Sequence, residues 1–194
     1  MTAARDRSGA GEGMRGILIG SVLALMTALH AAPSAADENW AVCAGINGTY
    51  TPQQEIAACT NIIESPATKS GDLDSYYNNR AIAYMRLNQY DTAIADFTQA
   101  IARHPPEASY KDDLYYIDRA WAYHLKGEDA KALPDADKAI AMTPDNPDFI
   151  ETRAEIYEQL GQRDQAIADY RAALKLDPRK DASNQGLRRL GVAP

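Results

Sequence analysis

The sequence predicts an all-α protein, an α-solenoid built from antiparallel helix pairs. Two observations lead to this prediction. Three segments of the 194-residue chain repeat one pattern of alanines and aromatic residues in the same register. Each segment also ends on a proline, and two of these prolines, Pro144 and Pro178, lie 34 residues apart. Self-similarity at a fixed period of this size is typical of helical hairpins that stack on one another.

Small and large residues recur at fixed places within each segment. The small residues are Ala81, Ala120 and Ala154 in the first helix, and Ala93, Ala132 and Ala166 in the second. The large residues of the first helix are Tyr84, Tyr123 and Tyr157. Small side chains let two helices approach closely, and large side chains fill the space beside them. One hairpin cannot bury its apolar face alone, so we expect neighbouring pairs to stack.

Charged residues repeat in the same register. The basic residues are Arg80, Arg119 and Arg153, and the acidic residues are Asp96, Asp135 and Asp169. One interpretation is an ion pair between the two helices of each hairpin, with a contact to the adjacent hairpin. The other is a row of arginines that binds an anion. The matching register of the acidic residues favours the ion pairs.

The second segment is irregular at Pro134, inside its expected second helix. A proline there lacks a backbone donor and clashes with the preceding turn. We therefore expect this helix either to begin late, with Pro134 in its first turn, or to be kinked. Ala136 also stands where the other two segments have an aromatic residue, so we expect looser packing around Pro134.

These residues resemble the tetratricopeptide-repeat (TPR) family, whose motif has small residues, a tyrosine and a closing proline at these positions. The resemblance implies three repeats, which cover residues 74–107, 113–146 and 147–180. The junction at residues 106–112 carries five residues more than the motif requires.

Residues 1–36 are typical of a secretory signal peptide. A basic start precedes an uncharged, mostly apolar run, Ile17–Leu29, and small residues follow at Ser34 and Ala36. The alternative is a membrane anchor, but thirteen residues are fewer than the ~20 that span a bilayer. We therefore expect cleavage after Ala36. The mature chain would then be exported to the periplasm or secreted, without membrane attachment.

Two cysteines, Cys43 and Cys59, remain after this cleavage. An even pair in an oxidising compartment predicts a disulfide, and two buried thiols are the alternative. The bond would join the two parts of an atypical N-terminal half-repeat, residues 37–73. Exported bacterial TPR proteins look similar around Cys43 and residues 58–63. Residues 181–194 are expected to form a C-terminal capping helix and tail, which shields the last repeat.

Composition and motifs exclude several classes of function. The formal net charge is −7, whereas a nucleic-acid-binding protein needs a basic face. The sequence has no phosphate loop, dinucleotide fingerprint or zincin motif. His104 and His124 have no second ligand at metal-binding spacing. We therefore expect no enzyme activity, no catalytic residue, no cofactor and no metal.

The family resemblance implies that the first helix of each repeat lines a concave groove, which takes a peptide or a helix. The groove residues would be Asn78, Ile82, Met85 and Arg86 in the first repeat, Leu114, Ile117, Trp121, His124 and Leu125 in the second, and Asp148, Glu151, Glu155 and Glu158 in the third. This groove would be apolar at its centre and acidic at its C-terminal end. Two alternatives stay open: Trp121 packs under a neighbouring helix, and the acidic row is only a solvated face.

The resemblance therefore implies a non-catalytic scaffold of the bacterial cell envelope that binds a protein or peptide. The composition of the groove suits a partner with an apolar or basic segment. One alternative is a self-associating structural component, a homo-oligomer. Another is a non-catalytic accessory subunit of a cell-wall or secretion enzyme complex.

Overall fold

The computed structural model describes residues 35–46, 48–69, 72–104 and 112–193. These ranges contain nine α-helices and no strand. The helices are α1 (Ala35–Cys43), α2 (Pro52–Ile63), α3 (Leu73–Arg86), α4 (Tyr90–Arg103), α5 (Asp112–Leu125), α6 (Asp129–Met142), α7 (Pro147–Gln159), α8 (Arg163–Leu176) and α9 (Asp181–Arg189). The predicted all-α class is confirmed.

Consecutive helices form four antiparallel pairs, α1/α2, α3/α4, α5/α6 and α7/α8, followed by α9. Each second helix also packs against the first helix of the next pair. The odd-numbered helices contact each other from one pair to the next, so they form one layer along the stack. This is the predicted solenoid, in which every pair buries its apolar face against its neighbours.

The turn inside each of the three complete pairs needs a left-handed backbone. Asn88, Gly127 and Gly161 occupy it with φ angles of 57°, 81° and 71°. Glycine adopts this conformation without a steric penalty, and asparagine tolerates it better than most residues. The first helix therefore ends at the same place in each pair, and the second begins at the same angle.

The small positions lie where the helices touch. Ala81, Ala93, Ala120, Ala132, Ala154 and Ala166 all have no exposed surface. Phe97 and Tyr170 fill the large position of α4 and α8 and are almost completely buried. The tyrosines at the large position of the first helices, such as Tyr84, are only partly buried at the margins of these clusters.

Of the two alternatives for Pro134, the late start of α6 is not found. The helix runs from Asp129 to Met142, and Pro134 lies inside it. Pro134 is exposed, whereas Ala132 and Ala136 on either side have no exposed surface and share a buried cluster with Phe149. The expected loose packing is therefore not found at these two alanines, because the proline faces solvent and the core face of α6 stays intact.

The repeated arginines and aspartates form the predicted ion pairs. Arg119 donates from Nε and Nη2 to the two carboxylate oxygens of Asp135, at 2.7 and 2.9 Å. The remaining Nη1 donates to Thr98 in the preceding pair, at 3.0 Å. The same three bonds recur at Arg80 with Asp96 and Thr60, and at Arg153 with Asp169 and Asp137. Each arginine therefore joins its own two helices to the preceding pair, and its donors are used within the scaffold.

The N-terminal pair is held by the cysteines. Cys43 at the end of α1 and Cys59 in α2 form a disulfide, with Cα atoms 4.8 Å apart. Both are buried, in a cluster that also contains Ala58. Thr51 caps α2: its Oγ1 accepts from the backbone N–H of Gln54, at 3.3 Å. The disulfide therefore fixes two helices that bury only a small cluster of their own.

A buried polar cluster lies beside the predicted insertion. Nδ1 of His104, after α4, is 2.7 Å from Oδ2 of Asp74 in α3. The hydroxyl of Tyr115 in α5 donates to the same oxygen, at 3.0 Å. Burial alone would raise the pKa of Asp74, but hydrogen bonds from His104, the Ser75 backbone and Tyr115 outweigh it, and this pKa lies below its usual value. His104 is thus part of the scaffold.

The predicted signal peptide falls outside the described residues, except for Ala35 and Ala36 in the first turn of α1. Within the ranges that the structure describes, no helix has the length and apolar character needed to cross a membrane.

Candidate binding groove

Three adjoining cavities follow the layer of odd-numbered helices. The first has a volume of about 290 Å³ and lies between the α1–α2 turn and α3, where Asn79, Ile82 and Arg86 line it. The second, about 300 Å³, lies between α3 and α5, and Ile82 and Arg86 also line this cavity. The third, about 410 Å³, lies between α5 and α7 and shares Asp118 and Trp121 with the second. Shared walls make the three cavities one continuous groove.

Most of the predicted groove residues line these cavities. They are Ile82, Met85, Arg86, Leu114, Ile117, Trp121, Leu125, Asp148, Glu151 and Glu155. Asn78, His124 and Glu158 do not line them. Oδ1 of Asn78 is a buried atom without a hydrogen-bond partner in the described ranges. His124 contacts Asp129 of α6, and Glu158 pairs with Arg189 of α9.

The centre of the groove is apolar and open. Ile82, Leu114 and Leu125 are each more than 40% exposed. Trp121 is half-buried, so it is neither fully exposed nor packed away under a neighbouring helix. Its ring stacks on that of His124, with centroids 5.0 Å apart. His124 in turn lies 2.5 Å from Asp129 of α6, which fixes the ring beneath Trp121.

Two cations, Lys180 and Arg189, pair with three of the four carboxylates at the predicted acidic end. Glu151 lies 2.7 Å from Nζ of Lys180 and accepts from the backbone N–H and the hydroxyl of Ser183, at 2.8 and 2.5 Å. Glu158 accepts two hydrogen bonds from Arg189, both of 2.8 Å. Asp148 also pairs with Lys180. Asp148, Glu151 and Glu158 therefore anchor α9 and the turn before it, so they are more than the solvated face of the alternative interpretation.

Glu155 differs from the other acids of this row. Its carboxyl makes no hydrogen bond or ion pair with the described residues. Burial raises the pKa of Glu155. At the other end of the groove, Arg86 is compensated by Glu55, whose carboxylate oxygens lie 2.6 and 2.8 Å from Nη1.

Sequence reasoning missed Asp118, which lines both the second and the third cavity. Burial raises the pKa of this carboxyl to about 6. One signal could have found it: Asp118 follows Leu114 by four residues and precedes Trp121 by three, so it shares their helical face. A carboxylate on an apolar stripe is unusual, and groups with perturbed pKa values gather at functional sites.

Nothing in this groove forms a metal centre: across the described part of the chain, no group of His, Cys, Asp and Glu side chains is arranged to hold an ion. Both cysteines are in the disulfide. The groove offers shape, apolar surface and two carboxylates, Asp118 and Glu155, that have no hydrogen bond or ion pair with the described residues, and these features suit the binding of another molecule.

Comparisons with known proteins agree with this architecture. Two family models described as tetratricopeptide repeat match residues 78–147 and 147–180, and together they span more than half of the chain. No curated protein matches the sequence.

Solved structures of other proteins share the fold. The TPR domain of Arabidopsis OM64 is 24% identical, with 63% of this chain and 97% of that chain covered and a TM-score of 0.57. The second TPR domain of human RPAP3, in complex with the HSP70 peptide SGPTIEEVD, is 22% identical, covers 59% of this chain and 92% of that chain, and has a TM-score of 0.54. MamA from Desulfovibrio magneticus RS-1 is 14% identical, covers 82% of this chain and 85% of that chain, and has a TM-score of 0.69. At these identities the likeness is one of fold.

Proposed function

Because the chain belongs to the tetratricopeptide-repeat family, we propose that it is a non-catalytic scaffold of the bacterial cell envelope, which binds a segment of another protein in its concave groove. TPR domains generally mediate binding of proteins or peptides through such surfaces. The observation that carries the proposal is the continuous groove along α3, α5 and α7.

The exposed apolar side chains in this groove support a bound partner. Ile82 lies on α3, and Leu114 and Leu125 lie on the next first helix, α5, with Trp121 between them in the sequence. A contiguous apolar patch of this kind on a soluble protein is typical of an interaction site. Tryptophan is also enriched among residues that dominate interface energies.

The charges of the groove support an apolar or basic segment as the ligand. The RPAP3 domain is in complex with a peptide that ends in EEVD. Here the one arginine among the predicted groove residues, Arg86, is compensated by Glu55. The uncompensated carboxyls of Asp118 and Glu155 would repel an acidic tail. The segment that binds this groove is therefore expected to be apolar or basic.

Export to the periplasm or to the medium is part of the proposal. The signal-peptide pattern of residues 1–36 supports it, as does a disulfide, which persists in oxidising compartments. Sequencing the N-terminus of the protein purified from its source cells tests the location. We expect a chain that begins at Asp37 in the periplasmic or secreted fraction. A chain that begins at Met1 or Met14 in the cytosolic fraction would refute export.

A photo-crosslinking amino acid placed at Leu125 tests the groove. The matched control is the same amino acid at Leu176, because the two leucines are 41% and 43% exposed but Leu176 lies at the end of α8, outside the three cavities. After irradiation with the envelope fraction of the source organism, we expect an adduct at Leu125 and none at Leu176. Equal adducts, or none at Leu125, would contradict binding in the groove.

The mass of the adduct separates the alternatives. An adduct of twice the chain mass indicates self-association and replaces the scaffold proposal. An adduct with a cell-wall or secretion enzyme indicates an accessory subunit, which is the narrower form of the same scaffold function.

A further inference from the structure

Asp118 lies at the centre of the groove, where the second cavity meets the third. The side chain is half-buried on α5. Apolar side chains stand beside it: Ile82 and Phe97 line the second cavity, and Phe149 lines the third, which also contains other carboxylates. A carboxylate in these surroundings has lost part of its hydration, so a missing counter-charge matters more than at the protein surface.

The part of the chain that the structure describes provides no counter-charge for this group. In the ranges that the structure describes, the carboxyl of Asp118 makes no hydrogen bond or ion pair, and loss of hydration alone raises its pKa. Its oxygens nevertheless reach the groove. Among these same residues, only one side-chain oxygen or nitrogen is both fully buried and without a hydrogen-bond partner, and it is Oδ1 of Asn78. The oxygens of Asp118 also have no partner, so they are not fully buried and retain accessible surface.

The other charged residues that line the groove have ion-pair partners. Arg86 pairs with Glu55, and Lys180 pairs with both Asp148 and Glu151. Of the charged residues that line the three cavities, only Asp118 and Glu155 lack a partner in the described part of the chain. The groove is therefore electrostatically complementary to a ligand that carries a positive charge.

An aromatic ring stands beside the carboxylate. Trp121 lies one helical turn after Asp118 and lines the same two cavities. Its ring is held in place by the stack on His124. Lysine and arginine carry a long apolar stem below the charge, and such stems pack on aromatic and aliphatic surfaces. The groove thus offers apolar surface to the stem and a carboxylate to the charged end.

We propose that Asp118 binds a single lysine or arginine side chain in an otherwise apolar segment of the partner protein, and that Trp121 packs on the stem of that side chain. This inference rests on the proposed function, because it assigns the residue by which the same groove selects its ligand. Glu155, in the third cavity, adds negative potential without contacting a cation of its own.

The test is a parallel selection of a phage-displayed library of random dodecapeptides on the wild-type protein and two variants. Asp118→Asn removes the charge and keeps the shape of the side chain. The matched control, Asp145→Asn, removes the same charge from an exposed turn between α6 and α7, outside the three cavities. Wild type and Asp145→Asn are expected to enrich apolar peptides with one lysine or arginine, and Asp118→Asn is expected to lose that residue preference.

A selected peptide then measures the contact directly. Replacing its lysine with norleucine keeps the stem and removes the charge. We expect this replacement to weaken binding to the wild-type protein about tenfold, as for a charge-assisted hydrogen bond. Binding to Asp118→Asn should not change with the replacement. Fluorescence anisotropy of the labelled peptides gives both Kd values.

The outcomes separate the two proposals. If the wild-type protein selects peptides without a basic residue, or if Asp118→Asn selects the same basic peptides, this inference is wrong and the proposed function stands. If no peptide is enriched over the bare support on any of the three proteins, the groove does not bind peptides, and both proposals fail. Circular dichroism of each variant verifies that the proteins compared are folded.

Discussion

The ring of Tyr170 in α8 lies directly against the backbone of Gly186 in α9. A Cβ on Gly186 would come within 2.3 Å of Cζ of Tyr170, closer than any real contact. The hydroxyl of Tyr170 also donates to Glu158, at 2.6 Å. Only glycine allows this approach, so α9 can pack closely on Tyr170 because residue 186 has no side chain.

We therefore predict that Gly186→Ala destabilises the protein. Alanine is ordinarily about 1 kcal/mol better than glycine inside a helix. Here overpacking against Tyr170 should reverse the sign and lower the free energy of unfolding by about 1 to 3 kcal/mol. Urea unfolding measures the change. Gln185→Ala, at an exposed position of the same helix, is the control and should have little effect. Stabilisation by Gly186→Ala would show that α9 does not pack on Tyr170.

Loss of a repeated arginine should cost more than the loss of a surface charge. The carboxylate of Asp135 is largely buried, and Arg119→Gln removes the arginine that donates two hydrogen bonds to it. The substitution also removes the hydrogen bond from Arg119 to Thr98 of the preceding pair. We expect the free energy of unfolding to fall by about 2 to 3 kcal/mol. Adding Asp135→Asn should recover part of this loss, because the unpaired charge is removed.

The control for this cycle is Arg171→Gln. Arg171 is exposed and makes no ion pair with the described residues, so we expect a change within about 0.5 kcal/mol. Urea unfolding of the wild-type protein, Arg119→Gln, Asp135→Asn and the double variant gives the coupling energy between Arg119 and Asp135. A coupling near zero would mean that the ion pair does not contribute to stability.

Reduction of the disulfide should loosen the N-terminal pair selectively. Cys43 and Cys59 are 16 residues apart, and closing a loop of this length is worth about 3 kcal/mol. We expect a reductant to lower Tm and to speed hydrogen exchange in α1 and α2, with little change in α7 and α8. Each helix pair in a solenoid contacts only its neighbouring pairs, so loss of the disulfide should not destabilise the distant pair α7/α8.

The double variant Cys43→Ala/Cys59→Ala controls for other effects of the reductant. Its Tm should lie near that of the reduced wild-type protein and should not respond to reductant. Uniformly faster exchange in all helices would contradict a local effect.

The carboxyl of Asp118 should make stability depend on pH. Burial raises its pKa to about 6, above the value of ~3.9 for an unfolded chain. The folded state therefore binds the proton more tightly than the unfolded state. The contribution of Asp118 to stability is expected to fall as the pH rises from about 4 to about 6 and to stay at the lower level above that range.

Asp118→Asn removes this dependence, since asparagine is neutral throughout. Relative to the wild-type protein, the variant should gain about 2 kcal/mol at pH 7 and much less at pH 4. Urea unfolding at both pH values, with Asp145→Asn as the exposed control, provides the measurement. An equal offset at both pH values would show that Asp118 is not desolvated in the folded protein.

Side-chain contacts and ion pairs between the two helices of one hairpin could be predicted from the sequence. Ala81 and Ala93 mark the contact between α3 and α4, and Arg80 and Asp96 are placed by the same helical spacing. Such pairs are fixed once two helices are joined by a short turn, as at Asn88. Spacing within one hairpin does not identify the acceptor for the third donor of each arginine, because that acceptor lies in the preceding hairpin.

The charge of the groove could not be predicted in the same way. The family resemblance implies that Asp148, Glu151 and Glu158 line the groove, but Lys180 and Arg189 reach them from the turn before α9 and from α9 itself. Asp118 was not predicted as a groove residue, because its lack of an ion-pair partner depends on which side chains of other helices lie near it.

The sequence by itself thus determined the repeat, the helix pairs, the scaffold ion pairs and the apolar stripe, because a period of small and large residues dictates how helices pack. Only the tertiary structure decided which groove charges remain uncompensated. Compensation depends on distances between side chains of different helices, and no spacing along the chain encodes these distances. That difference leaves Asp118, rather than the acidic row of α7, as the central charge of the groove.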